Sequence, residues 1–321
     1  MTTPPHHTDK GFFNPGYPWR EPPVTVTLPF FLRRAVTSTI PGLRSGAPDR
    51  VANDGSFVRR NALGSVPTVT WIGHSTMLVQ MGHLTFLTDP IWSATASPLW
   101  LGPKRYVDPG ITLEALPRID FVIVSHNHYD HMDTATLARL AAAGTRFFVP
   151  LGNAGTLEHE GIGPVEELDW WDSVKVGDVS ITCVPARHWS RRGLLDGNRA
   201  LWSGWVVTAA DRRFYFAGDT GTFAGFEEIG RRLGPFDLAA MPIGAYSPAA
   251  MMEPSHLNPE QAMDAALALH AERTLAVHFG TFDLSDEPLD EPPQRYRAAS
   301  SRAGRTPDVD WILKIGETRQ W

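Results

Sequence analysis

Short apolar runs rich in β-branched and aromatic residues recur along the chain from about residue 66 onward. Runs of this length, bounded by glycine, proline and acidic turn residues, predict β-strands. The predicted strands of the first half are TVTWIG, STMLVQM, LTFLTDP, DFVIVS and TRFFVP, and those of the second half are VSITCVPA, LWSGWVVTA, RRFYFAGD, FDLAAMPI and TLAVHFG. A turn is predicted at Met81-Gly82-His83, between the second and third strands.

Three segments between these strands carry helix signals. In DTATLARLAAAG, Asp133 suits the N-cap position and Gly144 suits the position just beyond the helix end. AGFEEIGRRLG predicts a second helix, and NPEQAMDAALALHAE predicts a third, with Asn258 as its cap and Pro259 as its first residue. Strands followed by helix–strand units in both halves predict an α/β fold in which two sheets carry helices on their outer sides.

Residues 1–60 differ from the rest because they are rich in proline, glycine and aromatics, as in GFFNPGYPWREPP, and show no clear period. This composition predicts an irregular arm packed on a main domain formed by residues 61–321. Within the arm, LPFFLRRAV is either a short element that contacts a membrane interface or a segment that covers the core. The second interpretation is favoured, since short amphipathic signals are weak.

Charge and composition narrow the classes of partner that the protein could bind. The 321 residues carry a net charge of −6, with lysine and arginine scattered along the chain, and this argues against a nucleic-acid partner. An anionic substrate would then need a local positive centre such as bound metal.

The single cysteine, Cys183, lies in an apolar run and predicts a buried thiol rather than a disulfide. The start lacks a signal-peptide pattern and no apolar run reaches the roughly 18 residues of a membrane span. We therefore expect a cytoplasmic protein, with peripheral membrane contact left open.

The stretch SHNHYDHMD, residues 125–133, places three histidines and two aspartates directly after the apolar run FVIV. His126 and His128 are two positions apart, so in extended chain both side chains point the same way. A divalent cation binds neutral imidazole and carboxylate together, which resolves the cost of ordering so many polar groups. The alternative, a polar surface loop, does not account for the pattern His-x-His-x-Asp-His. The stretch therefore predicts a metal site.

Further ligands are expected from His188, Asp219 and His278, each of which ends a predicted strand. Singly, each is explained as a core-edge histidine or a turn residue, but their common placement predicts that they join the cluster. The candidates divide into two ligand sets and a bridge, namely His126, His128 and His188; Asp130, His131 and His278; and Asp219 between them. Two cations so held would lower the pKa of a shared water toward about 7. Zinc suits these ligands, and iron or manganese also fit.

The ligand series resembles that of the metallo-β-lactamase-fold hydrolases. This resemblance covers about residues 66–320 and implies an αββα sandwich, in which two mixed sheets pack face to face with helices outside and the site lies at one edge. Cys-containing β-lactamases place a thiol near the bridging position, which is Asp219 here, so antibiotic hydrolysis is not the expected main role. The stretches GPKRY, ELDWW, FAGDTG, FEEIG, GPFDLAAMPIGAY and HFGTF are further similar to N-acylphosphatidylethanolamine-hydrolysing phospholipase D and its bacterial relatives.

This resemblance implies a phosphodiesterase reaction that releases N-acylethanolamine and phosphatidic acid from N-acylphosphatidylethanolamine, through a hydroxide shared by two zinc ions. It implies catalytic roles for Asp130 and Asp219, and a substrate-binding or acid role for His256 near the phosphate. The expected substrate is therefore a phospholipid or another phosphoester, and the resemblance is compatible with a homodimer.

Three further residues are candidates for supporting roles. The resemblance implies that Asp89 holds a ligand histidine, while a plain turn before Pro90 explains it equally well. His74 in WIGHST is open in the same way. Tyr246 in IGAYSP lines the substrate pocket or serves the core.

Other functions share the same ligands. A lactonase, or another ester hydrolase acting on a soluble phosphorylated substrate, would use the same centre. A nuclease would need a basic docking surface that the sequence lacks. A non-enzymatic alternative is a metal-stapled lipid-binding protein, but structural zinc sites are closed and often use cysteine.

Overall fold

The computed structural model describes residues 4–18, 21–37, 40, 45–64, 66–98, 102–210 and 212–321. The chain starts with a small hairpin of β1 (His7–Thr8) and β2 (Gly11–Phe12), followed by α1 (Val24–Thr37) and α2 (Ser56–Gly64). The remaining strands form two sheets, which have seven strands each within the described residues.

The first sheet has the strand order β16-β3-β4-β5-β6-β7-β8. Its strands are β3 (Thr68–Gly73), β4 (Thr76–Met81), β5 (Leu84–Thr88), β6 (Phe121–Ile123), β7 (Arg146–Pro150), β8 (Val165–Leu168) and β16 (Thr318–Gln320). The pairs from β16 to β5 are antiparallel and those from β5 to β8 are parallel. Gly82 and His83 link β4 to β5 with positive φ angles of 57° and 63°, which confirms the predicted turn.

The second sheet has the order β15-β14-β13-β12-β11-β10-β9. Its strands are β9 (Ser173–Val176), β10 (Val179–Val184), β11 (Gly204–Thr208), β12 (Arg213–Phe216), β13 (Leu238–Pro242), β14 (Thr274–Val277) and β15 (Asp310–Trp311). Its pairs are antiparallel from β9 to β12 and parallel from β12 to β15. Both sheets are therefore mixed, as predicted. Cys183 lies in β10 as a buried free thiol, which is also as predicted.

Helices cover the outer sides of the sandwich. They are α3 (Thr134–Ala141), α4 (Ala154–His159), α5 (Gly225–Leu233), α6 (Ala249–Met252), α7 (Pro259–Ala268) and α8 (Glu291–Arg302), with a 3₁₀ turn at Leu113–Ala115. Among the helices of the described residues, none is long and apolar enough to cross a bilayer.

The inner strands of the first sheet, from β3 to β7, are buried on both faces. Phe86 belongs to the core between the sheets, where its ring lies 5.9 Å from that of Phe214 in the second sheet. The next residue, Leu87, points the other way and joins a second core with Leu137 and Leu140 of α3. Alternate side chains of one strand thus feed two cores. This arrangement confirms the predicted sandwich with helices outside.

The predicted helix caps have mixed outcomes. Asn258 caps α7 as predicted, in a capping box with Gln261. Gly144 follows α3 with φ of 82°, as predicted. Asp133 occupies the N-cap position of α3, but its side chain accepts no backbone N–H of the helix and bonds only to the Thr136 hydroxyl there, at 2.5 Å. Its carboxylate also accepts from Ser93, whose hydroxyl lies 2.8 Å away, and so fixes the segment that follows β5.

The expectation of an irregular arm over residues 1–60 is wrong for the two segments that form α1 and α2. The prediction missed α1 because its first turns are rich in β-branched residues and Pro29 lies inside it. Tertiary contacts outweigh these local preferences: Phe30 is buried, and the guanidinium of Arg34 pairs with Asp283 and Asp286. The helix α2 runs across residue 60, and its Val58 is buried in the second core.

Candidate metal centre

Four segments bring polar side chains to one edge of the sandwich, each after the end of a strand. The segment 125–133 follows β6, and His188 follows β10. Asp219 and His278 follow β12 and β14, which belong to the parallel part of the second sheet. Parallel strands end at the same edge, so the side chains that follow them meet there. The structure thereby gathers the predicted ligand residues into one cluster.

The first part of this cluster is the three-histidine group, His126, His128 and His188. Nε2 of His126 lies 2.8 Å from Nδ1 of His128, and Nε2 of His188 lies 3.3 Å from the same Nδ1. Imidazole nitrogens that converge in this way can share a single cation.

The second part is the carboxylate–histidine group, Asp130, His131 and His278. Oδ2 of Asp130 lies 3.3 Å from Nε2 of His131 and 3.8 Å from Nε2 of His278. His74 reaches the same oxygen with its Nε2, at 3.0 Å. One carboxylate oxygen therefore faces three ring nitrogens, an arrangement that again suits a cation.

Asp219 lies between the two groups. Its Oδ2 is 3.1 Å from Nε2 of His278, 3.2 Å from Nε2 of His131 and 4.0 Å from Nε2 of His188. This carboxylate can therefore contribute to both groups, in the position that the sequence predicts for a bridging ligand.

Several polar atoms of the cluster are buried and have no hydrogen-bond partner among the described residues. They include His128 Nε2 and Asp219 Oδ1. Leaving such atoms unsatisfied is costly, and a divalent cation would satisfy them. The nitrogen and oxygen donors suit zinc, and they also suit iron or manganese. The residues present therefore fit the metal that the sequence predicted.

Buried partners orient the ligand rings. Nδ1 of His131 donates a hydrogen bond of 2.6 Å to Oδ2 of Asp89, which leaves Nε2 of the ring for a cation. Asp89 also accepts from the Ser125 hydroxyl at 2.5 Å and from the Ser125 amide at 2.6 Å. In the same way, Nδ1 of His188 donates to the Ser255 carbonyl at 2.9 Å. Asp89 therefore lies where a supporting residue would lie.

His74 joins two parts of the centre. Its side chain contacts Asp130, and its carbonyl accepts a hydrogen bond of 3.1 Å from the amide of His278. Its backbone has a positive φ of 52°, and its amide donates to the Thr281 hydroxyl at 2.6 Å. This unusual conformation is held by contacts on each side, as is common at functional sites.

His256 belongs to the cluster, and Tyr246 shares a cavity with it. Nδ1 of His256 is 3.7 Å from Oδ2 of Asp219. Both His256 and Tyr246 line a polar cavity of about 380 Å³. The Tyr246 hydroxyl donates to Glu291 at 2.8 Å, and its ring lies 4.7 Å from the guanidinium of Arg295. The cavity gives a substrate room next to the cluster.

Burial and charge set the protonation of the ligands. Burial lowers the pKa of His126 and His188 well below the usual 6.5, and that of His128 to about 4. Burial also disfavours the charged form of His278, but the negative charge of Asp219 and hydrogen bonds to carboxylates outweigh it and raise its pKa to about 9. The three-histidine group is therefore in the neutral, cation-binding form.

The chain reaches Asp219 through a glycine that cannot be replaced freely. Gly218 has a positive φ of 59°, and a Cβ built on it would lie 2.6 Å from Cβ of Ser125 and 2.8 Å from the Ser203 carbonyl oxygen. Glycine therefore lets β12 end close against the segment that carries His126.

Two supporting residues were not among those that the sequence predicted. Ser125 contacts both Asp89 and His126, and its position next to the first ligand was the available signal. Asn14 of the N-terminal arm donates to the His188 carbonyl at 2.8 Å and accepts from the Trp202 indole at 3.1 Å. No local pattern signals this contact, which joins residues 174 positions apart.

Residues 85–279 match the family model described as the beta-lactamase superfamily domain. Over 265 residues the chain is 41% identical to N-acyl-phosphatidylethanolamine-hydrolyzing phospholipase D 1 of Caenorhabditis elegans, a match that covers 78% of this chain and 71% of that protein. It is 35% identical over 257 residues to the mitochondrial N-acyl-phosphatidylethanolamine-hydrolyzing phospholipase D of Saccharomyces cerevisiae, covering 78% of this chain and 55% of that protein. Igni18, a metallo hydrolase from Ignicoccus hospitalis, superposes with a TM-score of 0.62 and 24% identity over 80% of this chain and 99% of that chain.

These similarities agree with the cluster and confirm the resemblance that the sequence indicated. The match to the Caenorhabditis elegans protein extends over most of both chains, whereas the chain spans about half the length of the yeast relative. The likeness to Igni18 shows the fold. The chain therefore belongs to the beta-lactamase superfamily and is a metal-dependent hydrolase of the metallo-β-lactamase fold.

Proposed function

We propose that this hydrolase is a dinuclear zinc phosphodiesterase of the phospholipase D type, which converts N-acylphosphatidylethanolamine to N-acylethanolamine and phosphatidic acid. The observation that carries the proposal is the position of Asp219, whose Oδ2 lies within reach of nitrogens from both ligand groups. The names of the nematode and yeast relatives support the choice of a phospholipid substrate.

The three-histidine group and the carboxylate–histidine group would each hold one cation, with Asp219 contributing to both. Two zinc ions bound there would lower the pKa of a water molecule and neutralise charge on the phosphoryl oxygens. In the reaction, the oxygen of one water forms a bond to phosphorus while the bond from phosphorus to the ethanolamide oxygen breaks. One proton of that water ends on the hydroxyl of the released N-acylethanolamine, which balances the atoms.

Residues of the chain supply orientation. Asp89 and the Ser255 carbonyl fix the rings of His131 and His188 through their Nδ1 atoms, so that each ring presents Nε2. His256 lies beside Asp219 and lines the polar cavity, so we assign it contact with the phosphate. Tyr246 also lines this cavity and directs its hydroxyl to Glu291.

The test is release of N-acylethanolamine by purified protein whose metal content has been measured by elemental analysis. We expect turnover with two equivalents of zinc, and a loss of roughly a hundredfold or more for Asp219→Asn, since even residues that only support ligands contribute 10–100-fold. Asp264→Asn is the matched control, because Asp264 is an exposed residue of α7.

Other outcomes would reject the proposal. Rapid hydrolysis of a soluble lactone or ester without N-acylethanolamine release would assign a different substrate. A metal-loaded wild-type protein that hydrolyses nothing, together with unfolding of Asp219→Asn, would show that the cations only stabilise the fold.

A further inference from the structure

The loop of residues 189–198 leaves two neighbouring leucines almost fully in solvent. Leu194 is 86% exposed and Leu195 is 88% exposed. Single exposed leucines are common on protein surfaces, but an adjacent pair at the tip of a loop is an unfavourable arrangement in water unless it has a partner.

The loop is ordered by its own hydrogen bonds. Oδ2 of Asp196 accepts from the amides of Gly193 at 2.7 Å and Arg192 at 3.1 Å. At the base, the amide of Asn198 donates to the Ser190 carbonyl at 2.8 Å, and its side chain accepts from the Ser190 amide at 3.2 Å. These bonds hold the tip in a fixed turn, so the leucines project from a preformed surface.

Two cations stand next to the leucines. The guanidinium of Arg191 donates to the carbonyls of Gly193 and Leu194, at 3.1 and 2.9 Å. The guanidinium of Arg192 lies 4.2 Å from the ring of Tyr129. Neither arginine forms an ion pair with a carboxylate in the described part of the chain, and the Asp196 carboxylate is occupied by backbone amides. The loop therefore places an apolar tip beside one exposed cation, Arg191, in a protein whose net charge is −6.

The same loop is joined to the metal centre. It begins one residue after His188. The Arg191 amide donates to Oδ1 of Asn127 at 3.0 Å, and the Arg192 guanidinium donates to the Asn127 carbonyl at 3.0 Å and the Met132 carbonyl at 2.9 Å. Asn127 lies between His126 and His128 in sequence. The hydrogen bonds to Asn127 therefore tie the loop to the cluster, and a surface that binds the loop lies close to the cluster.

We propose that the 189–198 loop docks the protein on an anionic lipid bilayer, with Leu194 and Leu195 among the acyl chains and the exposed Arg191 at the headgroups, while Arg192 ties the loop to the metal centre. An apolar tip beside an exposed arginine matches the polarity and the charge of such a surface. This inference rests on the proposed function, because a lipid substrate must be taken from a membrane. The docked loop holds the metal centre next to the headgroup layer that contains the phosphodiester.

The test uses the metal-loaded full chain and sedimentation with vesicles of phosphatidylcholine mixed with phosphatidylglycerol. Wild type should bind, and the binding should weaken as salt screens the headgroups. Leu194→Ser/Leu195→Ser should lower the partition coefficient by roughly tenfold or more, given the transfer free energy of leucine. Leu63→Ser is the matched control, because Leu63 is 91% exposed at the end of α2 and should leave partition unchanged.

A second comparison tests the exposed apolar face of α1. The outer face of α1 exposes Leu28 and Leu32. If Leu28→Ser/Leu32→Ser abolishes vesicle binding while the loop variant binds as wild type does, the proposal is overturned. It is also overturned if wild type does not bind vesicles, or if the loop variant changes only the oligomeric state in size-exclusion chromatography.

Hydrolysis assays with two physical forms of the substrate separate this inference from the proposed function. A short-chain monomeric N-acylphosphatidylethanolamine is compared with the same lipid in vesicles. The loop variant should lose more activity on vesicles than on the monomeric substrate. Failure of wild type to hydrolyse either form rejects the proposed function, while vesicle binding still decides the role of the loop.

Discussion

Nδ1 of His131 donates to Oδ2 of Asp89 over 2.6 Å, and both side chains are fully buried. Replacing Asp89 by asparagine removes the charge that orients this ring. We expect the affinity for the cation of the carboxylate–histidine group to fall by roughly 10–100-fold. Competition with a coloured chelator measures this affinity. The control is Asp264→Asn, which changes an exposed residue. Unchanged affinity would show that Asp89 only forms the turn before Pro90.

Removal of the metal should destabilise the fold. Ligands from both sheets share the cluster, so cations that bind only the folded state add to its stability, by about 4 kcal/mol when free metal is a thousandfold above the dissociation constant. Calorimetry before and after treatment with a chelator should show a lower Tm, and added zinc should restore it. An identical Tm for the two forms would contradict a site shared between the sheets.

Gly218→Ala should disturb the approach to Asp219. Its added Cβ would overlap Ser125 at 2.6 Å, in addition to the strain of a positive φ. Gly177→Ala is a matched control, because Gly177 has nearly the same φ of 58° but nothing within 4 Å of the added Cβ. The control should cost about 1–2 kcal/mol from strain alone, whereas Gly218→Ala should cost more and lower the metal content. Urea unfolding measures the free energy of unfolding, and elemental analysis measures the metal content. Equal losses in the two variants would exclude an effect of crowding at Ser125.

Asn14→Ala tests whether the N-terminal arm supports the centre. The change removes a donor to the His188 carbonyl and leaves the Trp202 indole without its Asn14 partner. We expect a loss of about 1–2 kcal/mol in the free energy of unfolding and weaker binding of one cation. Thr8→Ala, which removes an exposed bond to Gly11 in the same arm, is the control. Equal metal affinity in the two variants would limit Asn14 to a role in stability.

The cluster could be predicted because its densest part is local. His126 and His128 are close in sequence, and the distant ligands each end an apolar run, so the strand pattern places them at sheet edges. Asp89 emerged only as one of two equal interpretations, since an aspartate before proline also forms turns without any partner. Its bond to His131 depends on packing between β5 and the segment after β6, which spacing does not encode.

The helix α1 could not be predicted for a different reason. Its local sequence disfavours a helix, and its stability depends on Arg34 meeting Asp283, which lies 249 positions away. The side chain of Asp133 shows that tertiary contacts can also alter the outcome of a local signal that favours a helix cap. Local chemistry predicted a cap on the backbone, but the carboxylate accepts from the hydroxyls of Thr136 and of Ser93, a tertiary neighbour.

The ligand residues come from both layers of the sandwich, with His126 to His131 carried by one sheet and His188, Asp219 and His278 by the other. A nascent chain cannot assemble this pocket until its last ligand strand has been synthesised and the two layers have closed. Selection among available ions would therefore be made by a finished cage rather than by a growing polypeptide, and the metal content of an expressed sample would follow the ion supply during maturation.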